Sequence, residues 1–119
     1  MNSTLINRPA FIKLLTERFP DVITQFDEYS VGLLHLEVAT LRRAAEKAAD
    51  DGHLWEFERF FRFVEELLPN ADAALKNALE VSFVEDFALE YTKERHDALR
   101  KRGSREMQEM MSQIDSRWR

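Results

Sequence analysis

Cysteine is absent from the 119 residues. That removes disulfides, thiol nucleophiles and cysteine-ligated zinc from anything the chain does, and it fits a reducing cytoplasm, the expected location. Glycine and proline are scarce, three of each, so the chain has few sharp turning points and is expected to build long helices with short connections. No run approaches the roughly 20 apolar residues that cross a bilayer. The stretch from Met1 to Pro9 has no apolar core of a secretion signal. Membrane association is therefore not expected.

The vocabulary of catalysis is missing as well. There is no glycine-rich phosphate loop, no Gly-x-Ser-x-Gly, no His-Glu-x-x-His and no Glu-x-x-His of the di-iron bundles. His35 and His53 stand at opposite ends of one helical stretch, and His96 lies in a charged run. His53 and Glu56 are one helical turn apart, but two groups make an incomplete metal site. No enzymatic activity, cofactor, metal or small-molecule substrate is expected. An overlooked carboxylate enzyme would need a buried acid pair of raised pKa in a concave pocket.

What is present fits one globular domain spanning residues 1–119. Hydrophobic residues at 45% and charged residues at 33% balance as in a folded chain, not a disordered one. The charge is uneven. Residues 1–90 carry 17 Asp and Glu against 9 Lys and Arg, net −8, whereas residues 91–119 carry 5 against 8, net +3. An acidic body repels phosphate backbones, so nucleic acid is not an expected partner. Only the basic segment Arg100-Lys101-Arg102 with Arg105 keeps weak binding open.

Apolar spacing gives an all-α fold, a compact antiparallel bundle of five or six helices with no sheet. Residues 1–7 read as a loose lead. Pro9 suits a first helical turn, and Phe11, Ile12, Leu14, Leu15 and Phe19 continue that helix to Pro20, after which Val22, Ile23 and Phe26 face inward. Ser30 is expected to cap a helix over 31–50 that Gly52 closes. The next helix, 53–68, carries the stripe Leu54, Phe57, Phe61, Val64 and Leu68. Pro69-Asn70 breaks the chain, with Asn70 as cap of a central helix from 71. That helix either runs through to 102 or kinks around 88–92. Ser104 is expected to cap a last helix, 104–119, which docks on the body through Met107, Met110, Met111, Ile114 and Trp118.

Two features invite a reading beyond packing. Glu65, Glu66, Asp72, Glu80, Glu85, Asp86, Glu90 and Glu94 crowd the stretch 65–94. They are either a solvated face or a negative surface that steers a basic partner. The aromatics Trp55, Phe57, Phe60, Phe61 and Phe63 are mainly core, but they span too wide an arc for one stripe. Trp55 or Phe60 is then left outside to anchor a partner. The eight acids with Trp55 and Phe60 form the expected partner-binding set.

The order of segments resembles a family of small bacterial helical proteins. Some of its members are encoded beside polymorphic toxins, including contact-dependent inhibition systems, and are taken for immunity proteins. The resemblance is carried by Phe11-Ile12-Lys13-Leu14-Leu15-Thr16-Glu17-Arg18-Phe19-Pro20, by Leu33-Leu34-His35 and by Phe60-Phe61-Arg62-Phe63-Val64-Glu65. Asn77-Ala78-Leu79-Glu80-Val81-Ser82-Phe83-Val84-Glu85-Asp86 carries most of it. It implies a cytoplasmic protein that neutralises a cognate toxin domain of basic character, such as a nuclease, by binding it. The alternative is a helical regulatory or adaptor subunit.

Overall fold

The computed structural model describes residues 5–118, and these are helical almost throughout. In chain order the helices are α1 (Arg8–Arg18), α2 (Pro20–Ile23), α3 (Leu34–Asp50), α4 (Leu54–Leu67), α5 (Ala73–Ala78), α6 (Asp86–Glu90), α7 (Lys93–Arg100) and α8 (Arg105–Trp118). A 3-10 turn, Leu68–Asn70, follows α4, and a π-helical segment, Leu79–Glu85, fuses α5 and α6 into one rod. Among the described residues no sheet forms. Ile6 and Ala71 make one isolated parallel bridge. Part of the expected N-terminal lead, residues 1–4, lies outside the described residues.

Local chemistry sets most helix ends. Asn7 caps α1, its side-chain oxygen accepting from the Ala10 N–H at 3.0 Å, with Pro9 in the first turn. Gly52 has φ +78°, the left-handed conformation that only glycine adopts without strain, and it turns α3 into α4. Ser104 caps α8 by accepting from Met107 N–H at 3.1 Å.

Three expected boundaries come out differently. Ser30 does not cap α3, which begins at Leu34. It closes a local turn with Asp27 instead, a competing use of short polar side chains. Asn70 does not cap α5. Its carbonyl accepts from Ile6 N–H at 2.7 Å, and Asp72 takes the cap with a carboxylate on Leu75 N–H at 2.9 Å. Ile6 is thereby tied to the body and does not trail from it. Of the two courses expected for the central helix, the kink around 88–92 is the one found: the helix stops at Glu90, since Tyr91 leaves helical geometry with φ −102° and ψ 78°. The Tyr91 ring stacks on Phe87 with centroids 4.7 Å apart, and its hydroxyl donates to Asp50 at 2.7 Å, which fixes the kink.

The core is aromatic. Phe11, Phe57, Phe61, Phe63, Phe83 and Phe87 are fully buried. Helix α4 is buried on two faces. Phe57 and Phe61 meet Phe87 of the central rod at 5.7 and 5.1 Å, whereas Phe60 and Phe63 meet Phe19 at 4.5 and 5.3 Å. Phe60 is consequently only 3% exposed, which corrects its expected role as a surface anchor. The π segment serves the same core. It lengthens the local repeat, with Asp86 N–H reaching back five residues to the Val81 carbonyl, so that Leu79, Phe83, Val84, Phe87 and Ala88 all face inward.

Candidate protein-interaction surface

Most of the acidic set is engaged within the chain. Glu65 accepts from Ser104 N–H at 2.5 Å and so helps to start α8. Asp72 is the α5 cap. Glu66 pairs with Arg18, Asp86 with Arg42 at 2.9 Å, and Glu85 with Arg117 at 3.6 Å. Glu90 and Glu94 are exposed, on α6 and α7. The eight acids therefore do not make one face: they cap, tie and decorate different elements. The basic segment is similarly occupied. Arg100 is buried against Asp115 at 2.7 Å, Lys101 meets Asp97, Arg102 meets Glu58, and Arg105 meets Glu109.

Glu90 and Asp86 do line one surface cavity with Glu46 of α3, an acid that sequence reasoning passed over, and Asp50 of the same helix also acts on Glu46. Burial pushes the Glu46 carboxyl up, Arg42 opposes this, and Glu90 and Asp50 add to it. A carboxyl held above its ordinary value costs stability once it is ionised, so the sign is fixed. Glu46→Gln is expected to raise the thermal midpoint at pH 7. The gain should shrink as pH falls and the wild-type carboxyl itself takes up its proton. Equal midpoints at pH 7 would contradict this.

The side chains least explained by packing lie elsewhere, on the loop that leads into α3 and on the first turn of that helix. Tyr29 is 73% exposed, Val31 59%, Leu33 56% and Leu36 43%. Four large apolar side chains within eight residues thus face solvent, where isolated exposed ones are ordinary and a cluster marks a contact surface. Sequence reasoning missed them, because a short apolar run without period looks like core.

The loop is held in one shape. Asp27 accepts from the N–H groups of Tyr29 and Ser30, both at 2.9 Å, and the Ser30 hydroxyl accepts from Asp27 N–H at 3.0 Å. These backbone bonds hold the Asp27 carboxyl below its ordinary value. Gly32 takes φ +87° and donates its N–H to Glu37 at 2.9 Å. Glu37 is wholly buried and receives two bonds from Arg8, at 2.8 and 2.5 Å. Burial would push the Glu37 carboxyl up. The Arg8 bonds, the Gly32 N–H and the Arg8 charge together outweigh it and hold it below the ordinary value. A preshaped apolar loop loses less entropy on binding than a mobile one.

The loop's own stretch of chain carries charge of one sign, although Arg8 of α1 reaches the buried Glu37. From Phe19 to Leu41 the chain has no Lys or Arg, while Asp21, Asp27 and Glu28 are exposed. Trp55, the surviving aromatic of the expected set, is 71% exposed on α4, with the Arg59 guanidinium 5.4 Å from its ring centre. His35 is engaged, with Nδ1 2.7 Å from the Ser82 hydroxyl, so it fastens α3 to the π segment. Among the described residues no three His, Cys, Asp or Glu side chains gather so as to hold a metal ion, and no helix is long and apolar enough to cross a membrane.

An all-helical domain with a preshaped apolar loop on an acidic stretch is the class that this geometry defines. A family model matches residues 12–119, and the chain belongs to that family, described as a domain of unknown function, DUF7674. No curated protein and no solved structure matches it.

Proposed function

We propose that this chain is a protein-binding module, an immunity protein that neutralises a cognate bacterial toxin domain by holding it in the cytoplasm. The observation that supports this reading is the exposed, preshaped apolar loop Tyr29, Val31, Leu33 and Leu36, with the exposed acids Asp27 and Glu28 on the same turn of chain. An inhibitor that works by occupation needs a stable scaffold, a rigid apolar centre and a charged rim, and no active site of its own. The acidic rim suits a toxin domain with a basic surface, such as a nuclease cleft. Steering by such a rim speeds association and weakens with salt. The resemblance in segments 11–20, 33–35, 60–65 and 77–86 points the same way.

The test is growth rescue. The immunity reading requires a toxin domain encoded beside this chain, and that domain is induced in cells with and without it. Wild type should restore growth. Leu33→Asp should abolish rescue while leaving the helical signal intact, with affinity for the toxin falling at least about 30-fold, the scale of an interface hot spot. Failure of wild type to rescue refutes the immunity reading. Stoichiometric binding of a different protein through the same loop would instead favour the adaptor subunit.

A further inference from the structure

A second surface lies away from the loop, where the end of α4, the α5–π rod and the start of α8 leave a groove of about 460 Å³. Its floor is apolar: Leu68, Pro69, Met107 and Met110. Its rim is acidic: Glu65, Glu80 and Glu106, with Lys76 as the one opposing cation among the lining residues. The stripe expected to dock α8 onto the body divides here. Met107, Met111 and Ile114 are buried, while Met110 stays half-exposed over the groove. Methionine is unbranched and polarisable, and it adapts to apolar side chains of varied shape. A groove of this volume takes two or three such side chains.

We propose that this groove binds a basic, amphipathic peptide segment of a partner protein, whose apolar side chains enter over Met107 and Met110 while flanking Lys or Arg side chains meet Glu65, Glu80 and Glu106. Charge complementarity selects this occupant. Three carboxylates against one ammonium repel an acidic segment, and an uncharged one would leave the rim's charges without partners. Glu65 remains available on its second oxygen, because its first accepts from Ser104 N–H. Occupation would also bridge α4, the rod and α8, and so add to the attachment of the last helix. This inference does not rest on the loop or on the immunity reading.

Methionine methyl groups report on the groove directly. Met111 serves as an internal control, since it lines a different cavity, between α7 and α8. The protein labelled with ¹³C-methyl methionine is titrated with a synthetic amphipathic peptide of leucine and lysine. Parallel titrations use the same peptide with glutamate for lysine and with serine for leucine. The expected result is saturable shifts of the Met107 and Met110 methyls with the Leu/Lys peptide below about 1 mM, and none with the other two. Binding should weaken at least roughly tenfold between about 50 and 500 mM salt. Glu80→Lys with Glu106→Lys should weaken it by a similar factor, while Lys76→Glu should strengthen it. Circular dichroism establishes that each variant is folded. No saturation, equal binding of the glutamate or serine peptide, or a Met111 shift as large as that of Met110 would each overturn the proposal.

Discussion

Replacing Phe83 with alanine should lower the unfolding free energy by about 3–5 kcal/mol, the usual cost of removing a fully buried ring from a packed core. Phe83 is wholly buried, and its ring meets Phe61 edge-on at 6.0 Å. Its backbone belongs to the π segment, whose wider turn is fixed on one side by the Arg42 bond to the Ser82 carbonyl at 3.0 Å and on the other by packing on α8. The walls of the resulting cavity are thus rigid helices that relax poorly, which favours the upper part of the range. Domains of this size are stable by about 5–15 kcal/mol, so the variant stands near the edge of folding. Denaturant unfolding followed by circular dichroism measures it. Val81→Ala, on the exposed side of the same turn, is the control and should cost about 0.5 kcal/mol or less. A loss below about 1 kcal/mol for Phe83→Ala would contradict the burial.

How far the sequence announces this architecture depends on which competition settles each element. The α4 stripe is legible because its spacing has a single solution, and Gly52 and Ser104 are legible because each has one use at its position. The α5 cap is not. Asn70 and Asp72 are both good caps two residues apart, and the choice falls to Ile6, a distant residue that bonds the Asn70 carbonyl and the Asp72 N–H and so holds Ala71 extended, with the helix starting only beyond it. The π segment is hidden because one inserted residue in an apolar run looks the same as a wide helical stripe. Phe60 is misplaced for a related reason. The wide aromatic arc signals a helix packed on two sides, and a one-sided reading turns the second side into a surface.

The candidate sites divide along the same line. Acidic residues crowd together along the chain, but a helix distributes neighbours around its axis, and tertiary partners then claim them one at a time. Glu65 and Asp72 become caps, and Glu85 and Asp86 become ties to Arg117 and Arg42. What remains suggestive is where carboxylates border exposed apolar side chains. That juxtaposition occurs at the loop and at the methionine groove, and it depends on contacts between distant segments. Tyr29, Val31 and Leu33 read as core on hydropathy alone. In the structure they face solvent, while Glu37 a few residues on is wholly buried.

Glu37→Gln should destabilise the protein by about 3 kcal/mol, the low end of the range for breaking a buried ion pair, because Arg8 is partly open to solvent. The neutral amide keeps some hydrogen bonding to Arg8 but loses the charge, and it presents an N–H₂ group where one of the Arg8 or Gly32 donors had an acceptor. The loop then loses the contact that fixes Gly32 at φ +87°. Hydrogen exchange at the Gly32 amide should accelerate more than the global loss explains. The pH dependence has a definite sign. The Glu37 carboxyl is held below its unfolded value, so its contribution is complete above about pH 4.3 and disappears as pH falls through the folded value. Wild type and Glu37→Gln should therefore converge in stability as the pH falls and the folded carboxyl takes up its proton. Replacing both partners, Arg8→Met with Glu37→Leu, should recover much of the loss, since an apolar pair of similar volume carries no desolvation cost. That double variant separates two roles of the pair: it restores the fold without restoring an acceptor for Gly32. If the loop is the binding face, its affinity for the partner stays low although its stability returns. Unchanged stability and unchanged Gly32 exchange in Glu37→Gln would mean that the buried pair neither supports the fold nor shapes the loop.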